Sequence, residues 1–444
     1  MIWRCFVKDQ LKYSSLAAAV LAANAMALPV LETDTSTLNL AVDGGVLYAQ
    51  SQESYAQFRG EEDSVSWQEG YLKVGLDGIH NLGPSSVYGG VSLSSTGTWG
   101  DGDAAGFTNG KERRTAVENA FVGWKSGNLI EALGEDGLDI SFGRQTLVIG
   151  DGFLINGDAL NVGQGAEDAI GIDGIDRGGA YWMGGSGRSA FDKTLVVRVG
   201  GNSGVRADLF KVESDNLLQG ETGMTGANLE YVGEQGTFAL LHFKSESDGK
   251  MANAARDGMK TTSVRYQGSA GVENLFLSAE FAHQKNDDTT GRGGYVEAGW
   301  TFAGVPMSPQ LTYRYSTFDE NFDPLFFGFN RGYGTWFQGE VASNYAGPFN
   351  VNTDVQHLSL KASASEALHF GALYFDFSDH EKVAGKNMDA QEIDLYVEYF
   401  LNDNMLVSPL LGFFTPDADS ANGGSQIGSD DTNMYAQLGF FFFY

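Results

Sequence analysis

The chain has 444 residues and a formal net charge of −29, with 60 glycines, 8 prolines, 30 phenylalanines and 18 tyrosines. A charge this negative argues against a nucleic-acid-binding protein, because the phosphate backbone selects basic surfaces. Abundant glycine and aromatic residues with little proline are typical of many strands joined by turns, so the composition favours an all-β protein.

The first 27 residues have the three parts of a secretory signal peptide. Basic residues precede an apolar centre at 16–23, and Ala25-Met26-Ala27 fits the cleavage site before Leu28. The apolar run is shorter than the roughly 20 residues that a membrane-spanning helix needs. We therefore expect export and a mature domain of residues 28–444. The only cysteine, Cys5, lies in the predicted leader, so no disulfide and no thiolate metal site is expected.

Apolar and polar residues then alternate in segments of about ten residues, the length of a transmembrane strand. In one such segment, Ile393, Leu395 and Val397 alternate with Asp394 and Tyr396. One face of such a strand suits lipid and the other suits water. The sequence therefore predicts an antiparallel up-and-down β-barrel in the outer membrane of a Gram-negative bacterium.

Short and long connections alternate along the chain, as expected for short periplasmic turns and long extracellular loops. Counting the segments between them predicts 18 strands with both termini on the periplasmic side, and 16 strands is the alternative. Residues 178–183 also resemble a strand but are assigned to a loop, because a nineteenth spanning strand would put the chain's end outside. The predicted strands lie near 37–49, 65–77, 85–97, 113–125, 138–147, 193–200, 204–213, 223–232, 236–246, 258–268, 273–284, 292–303, 308–318, 353–364, 366–379, 389–401, 404–414 and 432–444.

Charged residues on the polar face of these strands are predicted to line the lumen. Such residues select solutes by charge, or simply keep a wide lumen wet. The predicted pore-lining residues on the strands are Arg198, Arg206, Arg265, Arg314, Lys361, Glu297, Glu392 and Asp394.

Two long loops, 148–192 and 319–352, are predicted to fold into or over the pore. The second loop is rich in aromatic residues, whose exposure to water is unfavourable. These residues would form a constriction in the mouth of the pore, or would pack against its rim. The predicted constriction residues are Phe326, Phe327, Phe329, Tyr333 and Trp336.

Short motifs lie in or just before the two long loops: Phe142-Gly143-Arg144-Gln145 with the Gly150-Asp151 pair, and Asp323-Pro324-Leu325-Phe326. They resemble stretches of the alginate-export family of bacterial outer-membrane porins. The resemblance implies an 18-stranded barrel that exports an anionic polysaccharide through an arginine-lined, loop-gated pore, with Arg144 and Arg177 as pore-lining contacts. Strict alternation places Arg144 on the lipid face, so we expect a bulge near Gly143 to turn it inward.

The function expected from these patterns is passive, substrate-selective diffusion of a small organic solute, without enzymatic chemistry, cofactor or metal. One alternative is export of an anionic polysaccharide such as alginate. A second is a hydrolase built into the barrel, for which His242 and His357 lie on the predicted lumen face, although no G-x-S-x-G or H-E-x-x-H motif is present.

Four partner predictions follow from the same patterns. The outward face predicts contact with outer-membrane lipid and lipopolysaccharide. The final strand, with alternate apolar residues from Met434 to the terminal Tyr444, resembles the signal that the barrel assembly machinery reads. The solute is expected to be a small molecule or an oligosaccharide, and nucleic acid is not expected.

Overall fold

A computed structural model describes residues 28–57, 64–183, 187–248, 254–287, 289–328 and 338–444. The predicted signal peptide lies outside the described residues. The strands are β1 (Leu28–Glu32), β2 (Ser36–Ser51), β3 (Val65–Asn81), β4 (Ser86–Gly100), β5 (Arg113–Lys125), β6 (Leu138–Gln145), β7 (Phe191–Val199), β8 (Gly204–Glu213), β9 (Gly223–Gly233), β10 (Gly236–Glu246), β11 (Lys260–Gly268), β12 (Leu275–Lys285), β13 (Thr290–Thr301), β14 (Gln310–Phe318), β15 (Thr353–Ser363), β16 (Leu368–Asp379), β17 (Ala390–Asn402), β18 (Met405–Pro416) and β19 (Asn433–Phe443).

Helical structure in the described residues is short. An α-helix, α1, spans Gln164–Ile170, a π-helical turn spans Ala342–Ala346, and 3₁₀ turns span Glu131–Leu133, Leu217–Gln219, Ala254–Arg256 and Ser420–Asn422. No helix among the described residues is long and apolar enough to cross a membrane.

Strands β2–β19 form a closed antiparallel barrel in which each strand pairs with its neighbours in the chain. The barrel closes where β19 pairs with β2, from Tyr435 opposite Ser51 to Phe443 opposite Asp43. The prediction of an 18-stranded up-and-down barrel is therefore confirmed, and the alternative of 16 strands is wrong. All 18 predicted segments correspond to observed strands. The largest boundary difference is in β3, which was predicted to end at residue 77 and ends at Asn81.

The short first strand, β1, was not predicted. It pairs with the first half of β2, from Leu28 opposite Leu40 to Glu32 opposite Thr37, whereas β19 pairs with the second half. Strands β1 and β19 therefore lie end to end along the same edge of β2. Strand β1 lies at the end of the barrel that carries both described chain ends. Its five residues are all exposed, so no alternation of burial marks it in the sequence.

The wall alternates between an exposed apolar outer face and a polar inner face. On β8 and β9, Val205, Leu209 and Leu229 are exposed, and they alternate with the inward-facing Arg206 and Glu230. Exposed apolar residues recur on the outer face of strands around the whole barrel. A water-soluble monomer does not carry an apolar surface of this extent, and a hydrocarbon environment accounts for it.

Connections differ at the two ends. One end has mostly tight turns, such as 200–203 and 234–235, with one longer link at 126–137. The other end has the long links, of which 146–190 and 319–352 are the longest. Residues 178–183 form no strand and belong to the first of these links, as predicted.

Candidate functional site: a lumen narrowed by two loops

The charged residues of the inner wall are paired with one another across neighbouring strands. Arg198 lies 3.6 Å from Asp139 and 3.7 Å from Asp208, measured between guanidinium nitrogens and carboxylate oxygens. Arg206 Nε donates to Glu230 Oε2 at 2.5 Å. The register explains these pairs, because Arg198 stands opposite Asp208 and Arg206 stands opposite Glu230.

The same pattern continues around the wall. Arg265 Nη2 donates to Glu230 Oε1 at 2.6 Å, and Arg314 lies 3.8 Å from Glu297. Lys361 is partly buried near the tight-turn end, opposite Gln310 on β14. The inner wall from β6 to β15 therefore carries interleaved acids and bases, rather than a basic ladder that faces an acidic one.

Water reaches the predicted pore-lining bases more than the predicted acids. The side chains of Arg198 and Arg206 are each 42% exposed, whereas Glu297, Glu392 and Asp394 are buried. Arg265 and Arg314 are buried as well. The charge that a solute meets on this wall is therefore more positive than the sequence alone indicated.

The β-bulge that we expected near Gly143 is present in strand β6. The register between β6 and β7 shifts between Gly143 and Gln145, and Gly143 has φ of +121°. Arg144 Nη1 reaches Asp192 Oδ1 and Asp215 Oδ2, each at 2.9 Å. Its guanidinium thus turns to these carboxylates rather than to lipid.

Asp215 joins Arg144 to Arg177, the other residue that the resemblance indicated. Arg177 Nη1 donates to Asp215 Oδ1 at 2.9 Å and to the fully buried Asp158 Oδ2 at 3.3 Å. Burial acts to raise the pKa of Asp215, but Arg177 and Arg144 outweigh it, and the pKa lies below its ordinary value. Arg144 and Arg177 therefore lie close together, and each forms ion pairs with carboxylates.

Two further arginines belong to this region and were missed in the sequence. Arg114 stands opposite Thr96 on the inner wall, is exposed, and donates to Asp176 O at 2.7 Å. Arg188 is buried and donates to Arg177 O at 3.2 Å. Burial, followed by the charges of Arg177 and Arg114, lowers the pKa of Arg188 to about 10. A bulge in β5 at Glu118 shifts the alternation, so parity from the sequence did not assign Arg114 to the lumen.

The first loop, 146–190, enters the barrel at its Gly150-Asp151 pair. Asp151 accepts hydrogen bonds from Tyr295 OH at 2.8 Å and Gln267 Nε2 at 2.8 Å, both on the inner wall. Phe153 then packs in an apolar cluster with wall residues such as Tyr295 and Phe318. These contacts attach the loop to the inside of strands β11–β14.

The second loop meets the first at this cluster. Asn156 N donates to Phe326 O at 2.7 Å, and Phe326 N donates to Leu154 O at 3.1 Å. Phe326 is only 2% exposed and its ring contacts that of Phe191 at 5.0 Å. Phe326 thus packs between wall and loop, in line with the alternative of packing rather than with a ring that borders open lumen. Phe327 is partly buried, and Phe329, Tyr333 and Trp336 lie outside the described residues.

A second meeting point holds the later part of this loop against strand β17. Glu392 accepts hydrogen bonds from Val341 N at 2.7 Å and Ala342 N at 2.8 Å, and Asp394 Oδ2 accepts one from Glu340 N at 3.2 Å. Glu340 is hydrogen bonded to Trp182 of the first loop. Glu392 and Asp394 therefore hold a loop segment and do not face open water. Burial, together with the charge of Glu392, raises the pKa of Glu340 well above its ordinary value.

The histidines of the hydrolase alternative do not lie together. His242 is exposed on the outer face beside Leu240 and bonds Thr262 Oγ1 at 2.8 Å, so its predicted lumen position is wrong. His357 does lie on the inner wall, where its ring stacks on Phe375 at 4.3 Å. The described residues contain no group of three His, Cys, Asp or Glu side chains that could hold a metal ion.

No protein-family model matches the chain, and no curated protein matches it. Solved structures, in contrast, do match the chain. The chain is similar to OccAB4 of Acinetobacter baumannii (TM-score 0.60, 9% identity, covering 93% of this chain and 98% of that one). It is also similar to OccK5 (OpdH) of Pseudomonas aeruginosa (TM-score 0.57, 8% identity, covering 92% of this chain and 98% of that one). A third similar structure is OccK11 (OpdR) of the same organism (TM-score 0.53, 11% identity, covering 94% of this chain and 99% of that one).

At these identities the likeness concerns the fold. It gives no support to the resemblance to the alginate-export family. The chain has the 18-stranded barrel fold found in outer-membrane porins of the Occ type.

Proposed function

We propose that the protein is an outer-membrane channel for passive diffusion of small organic solutes, with a preference for anionic ones. The observation that carries this proposal is the accessible charge of the inner wall. Arg114, Arg198 and Arg206 are exposed to water there, whereas Glu392 and Asp394 are buried under a loop. Exposed cations raise the local concentration of anions and so favour their passage.

The first alternative, export of an anionic polysaccharide, agrees with accessible arginines but not with the loops. The two loops meet inside the barrel at Phe326 and again at Glu340, and both meeting points narrow the lumen. A polymer chain needs a continuous wide path with repeated basic sites. The narrowed lumen favours a small solute.

The second alternative is a hydrolase, which needs a base that bonds a nucleophile with one ring nitrogen and an orienting carboxylate with the other. His380 has both kinds of neighbour, but its Nδ1 faces both Thr317 Oγ1 at 3.5 Å and Asp354 at 3.2 Å. A single ring nitrogen cannot relay a proton between the two. The site therefore favours a channel over a hydrolase.

The proposed outer-membrane location makes the partner predictions specific. The apolar outer face would contact membrane lipid, and the last strand, Asn433–Phe443, would be read by the barrel assembly machinery during insertion. Export through a signal peptide in residues 1–27 remains part of the proposal.

Reconstitution in a planar bilayer tests the function. We expect discrete conductance steps and, in a salt gradient, a reversal potential on the anion-selective side. The double variant Arg198→Gln/Arg206→Gln should lower the anion-to-cation permeability ratio about threefold, because two exposed charges leave the wall.

The matched control is Lys260→Gln/Lys285→Gln, which removes two charges from the outer face and should leave the ratio unchanged. Cation selectivity of the wild type would contradict the anion preference. Absence of conductance from folded protein would contradict the channel itself.

A further inference from the structure

Basic side chains are concentrated on the outer face of strands β10–β13, at the long-loop end. His242, Thr262, His283 and Arg292 stand opposite one another in successive strand pairs and form one row. Lys244, Lys260 and Lys285 form a second row, two residues nearer the loops. We call these two rows the basic surface.

The basic surface lies directly above the apolar outer face. The row beneath it consists of Leu240, Val264 and Phe281, which pair in the same register and are 46%, 54% and 49% exposed. Residues two apart on a strand point to the same face and rise by about 7 Å. Along the tilted strands, the two basic rows thus lie about 7 and 14 Å beyond an apolar row, at the loop-side border of the apolar outer face.

Most of these cations have no protein partner. Within the described part of the chain, the side chains of Lys260, Lys285 and Arg292 make no ion pair and no hydrogen bond, and neither does His283. Lys244 pairs only with the exposed Glu246, at 3.2 Å. At the long-loop end of the outer face on β15 and β16, the charged residues are instead Asp354 and Asp376. A chain of net charge −29 therefore leaves free positive charge on one sector of its outer face.

A recess adjoins the basic surface. It has a volume of about 890 Å³, and its lining includes Val264 and Phe281 below and His283 and Arg292 above. Gly294 follows Arg292 on the same face and pairs with Phe281; a Cβ there would lie 2.5 Å from the Phe281 ring. The Phe281 ring therefore lies over Gly294, and a side chain at this position would displace it from the floor of the recess.

Two acids lie near the upper rim of the recess, and both have protein partners. Asp319 accepts hydrogen bonds from Arg292 N at 2.8 Å and Asn321 N at 3.2 Å. Asp354 bonds His380 Nδ1 at 3.2 Å. Backbone amides bind the Asp319 carboxylate and His380 faces Asp354, so the positive charge next to the recess is that of Arg292, with the lysine row above it.

We propose that the basic surface and the recess bind a phosphate-bearing glycolipid of the outer leaflet, a lipid A-type molecule. Its phosphates would lie on Lys260, Lys285 and Arg292, and one acyl chain would lie in the recess against Val264 and Phe281. An apolar floor beneath a basic rim suits an amphipathic anion and does not suit free phosphate, which has no apolar part. The inference rests on the proposed outer-membrane location but not on channel activity.

Native mass spectrometry of the detergent-purified protein, titrated with bis-phosphorylated lipid A, tests this proposal. EDTA is included so that divalent ions cannot bridge phosphates to the acidic loops. We expect Lys260→Gln/Lys285→Gln/Arg292→Gln to weaken binding about a hundredfold, since each cation near an anionic lipid contributes severalfold. The control Lys111→Gln/Lys125→Gln/Lys386→Gln removes the same charge elsewhere and should bind as the wild type does.

Two probes define the ligand chemistry. Lipid A without phosphates should bind the wild type as weakly as the triple variant binds the intact lipid, and inorganic phosphate should not compete. Equal binding of intact lipid A by the wild type and the triple variant would overturn the proposal. A wild-type dimer that the triple variant abolishes, without lipid retention, would also overturn it and would assign the surface to a second copy.

Folding and channel function are measured on the same samples. Heat-modifiable electrophoretic mobility reports the closed barrel, and single-channel conductance reports the lumen. The triple variant lies on the outer face and should keep both. Loss of lipid binding with unchanged conductance supports the lipid site, whereas absent conductance in every sample would contradict only the channel proposal.

Discussion

A single glycine decides where an arginine points in this wall. Strict alternation puts Arg144 on the lipid face, where a mid-bilayer arginine costs about 2–4 kcal/mol. At Gly143, φ is +121°, a value that side chains other than hydrogen disfavour. A Cβ there would lie 2.4 Å from Ala120 O. The glycine therefore permits the bulge that lets Arg144 reach Asp192 and Asp215.

Gly143→Ala should destabilise the barrel by about 1–3 kcal/mol, because the Cβ meets backbone atoms that cannot move aside. The measurement is the unfolding free energy of the refolded barrel in urea. Gly201→Ala is the matched control, since a Cβ at Gly201 meets nothing within 4 Å. Equal stability of the two variants would show that the bulge tolerates a side chain.

At the scale of elements, the first loop depends on charge pairs for its position. Asp158 and Asp215 both bond Arg177, and Asp215 also bonds Arg144. Ser214 Oγ adds a hydrogen bond to Asp158 Oδ2 at 2.8 Å. Because Asp158 and Arg177 are buried, loss of one partner would leave an uncompensated charge, which is strongly destabilising. The loop should therefore stay in the lumen while these carboxylates are ionised.

Acidification should release the loop only at low pH. The pKa of Asp215 is lowered in the folded protein by Arg177 and Arg144, against the effect of burial. Its stabilising contribution is therefore complete above the ordinary aspartate pKa of about 4 and is lost as pH falls through the lower folded value. Single-channel current noise should rise only below about pH 4. The Asp215→Asn variant should show raised single-channel current noise at every pH.

The exposed loop residue Asp430 supplies the control, and Asp430→Asn should behave as the wild type at every pH. Noise that begins well above pH 4 would point to other loop carboxylates. Burial raises the pKa of Asp103, for example, so such a result would contradict the assignment to Asp215.

At the scale of the whole molecule, the barrel has two unlike ends. The chain's described ends and the tight turns lie at one end, and the long loops lie at the other. The outer face is apolar in its middle and basic on one sector near the loops. We therefore expect one orientation in the membrane, with the tight turns toward the periplasm.

An epitope tag inserted after Gly423, in the link between β18 and β19, should be stained on intact cells. The same tag after Gly201, in the turn between β7 and β8, should be stained only after the outer membrane is permeabilised. A Cβ at Gly201 would meet nothing within 4 Å, and Ala421 and Asn422, which precede Gly423, are exposed. Staining of both tags, or of the Gly201 tag alone, on intact cells would contradict the proposed orientation.

The sequence by itself determined the barrel, its 18 strands and the two long loops. Alternation and turn composition are local properties, because a strand exposes every second residue to lipid and a turn needs only a few residues. The inward assignment was correct for Arg206 and Glu392, because β8 has no bulge and the irregularity in β17 lies at the far end of the strand, between Phe400 and Asn402. Parity failed for Arg114, in a strand that contains a bulge.

Only the tertiary structure decided what the loops do to the lumen. Burial of Phe326, the shielding of Glu392 and Asp394, and the network through Asp215 all join segments far apart in the chain. Such contacts depend on the shape and volume that remain inside the closed barrel, which no local pattern encodes. The balance of accessible charge, and with it the proposed solute, therefore follows from packing rather than from composition.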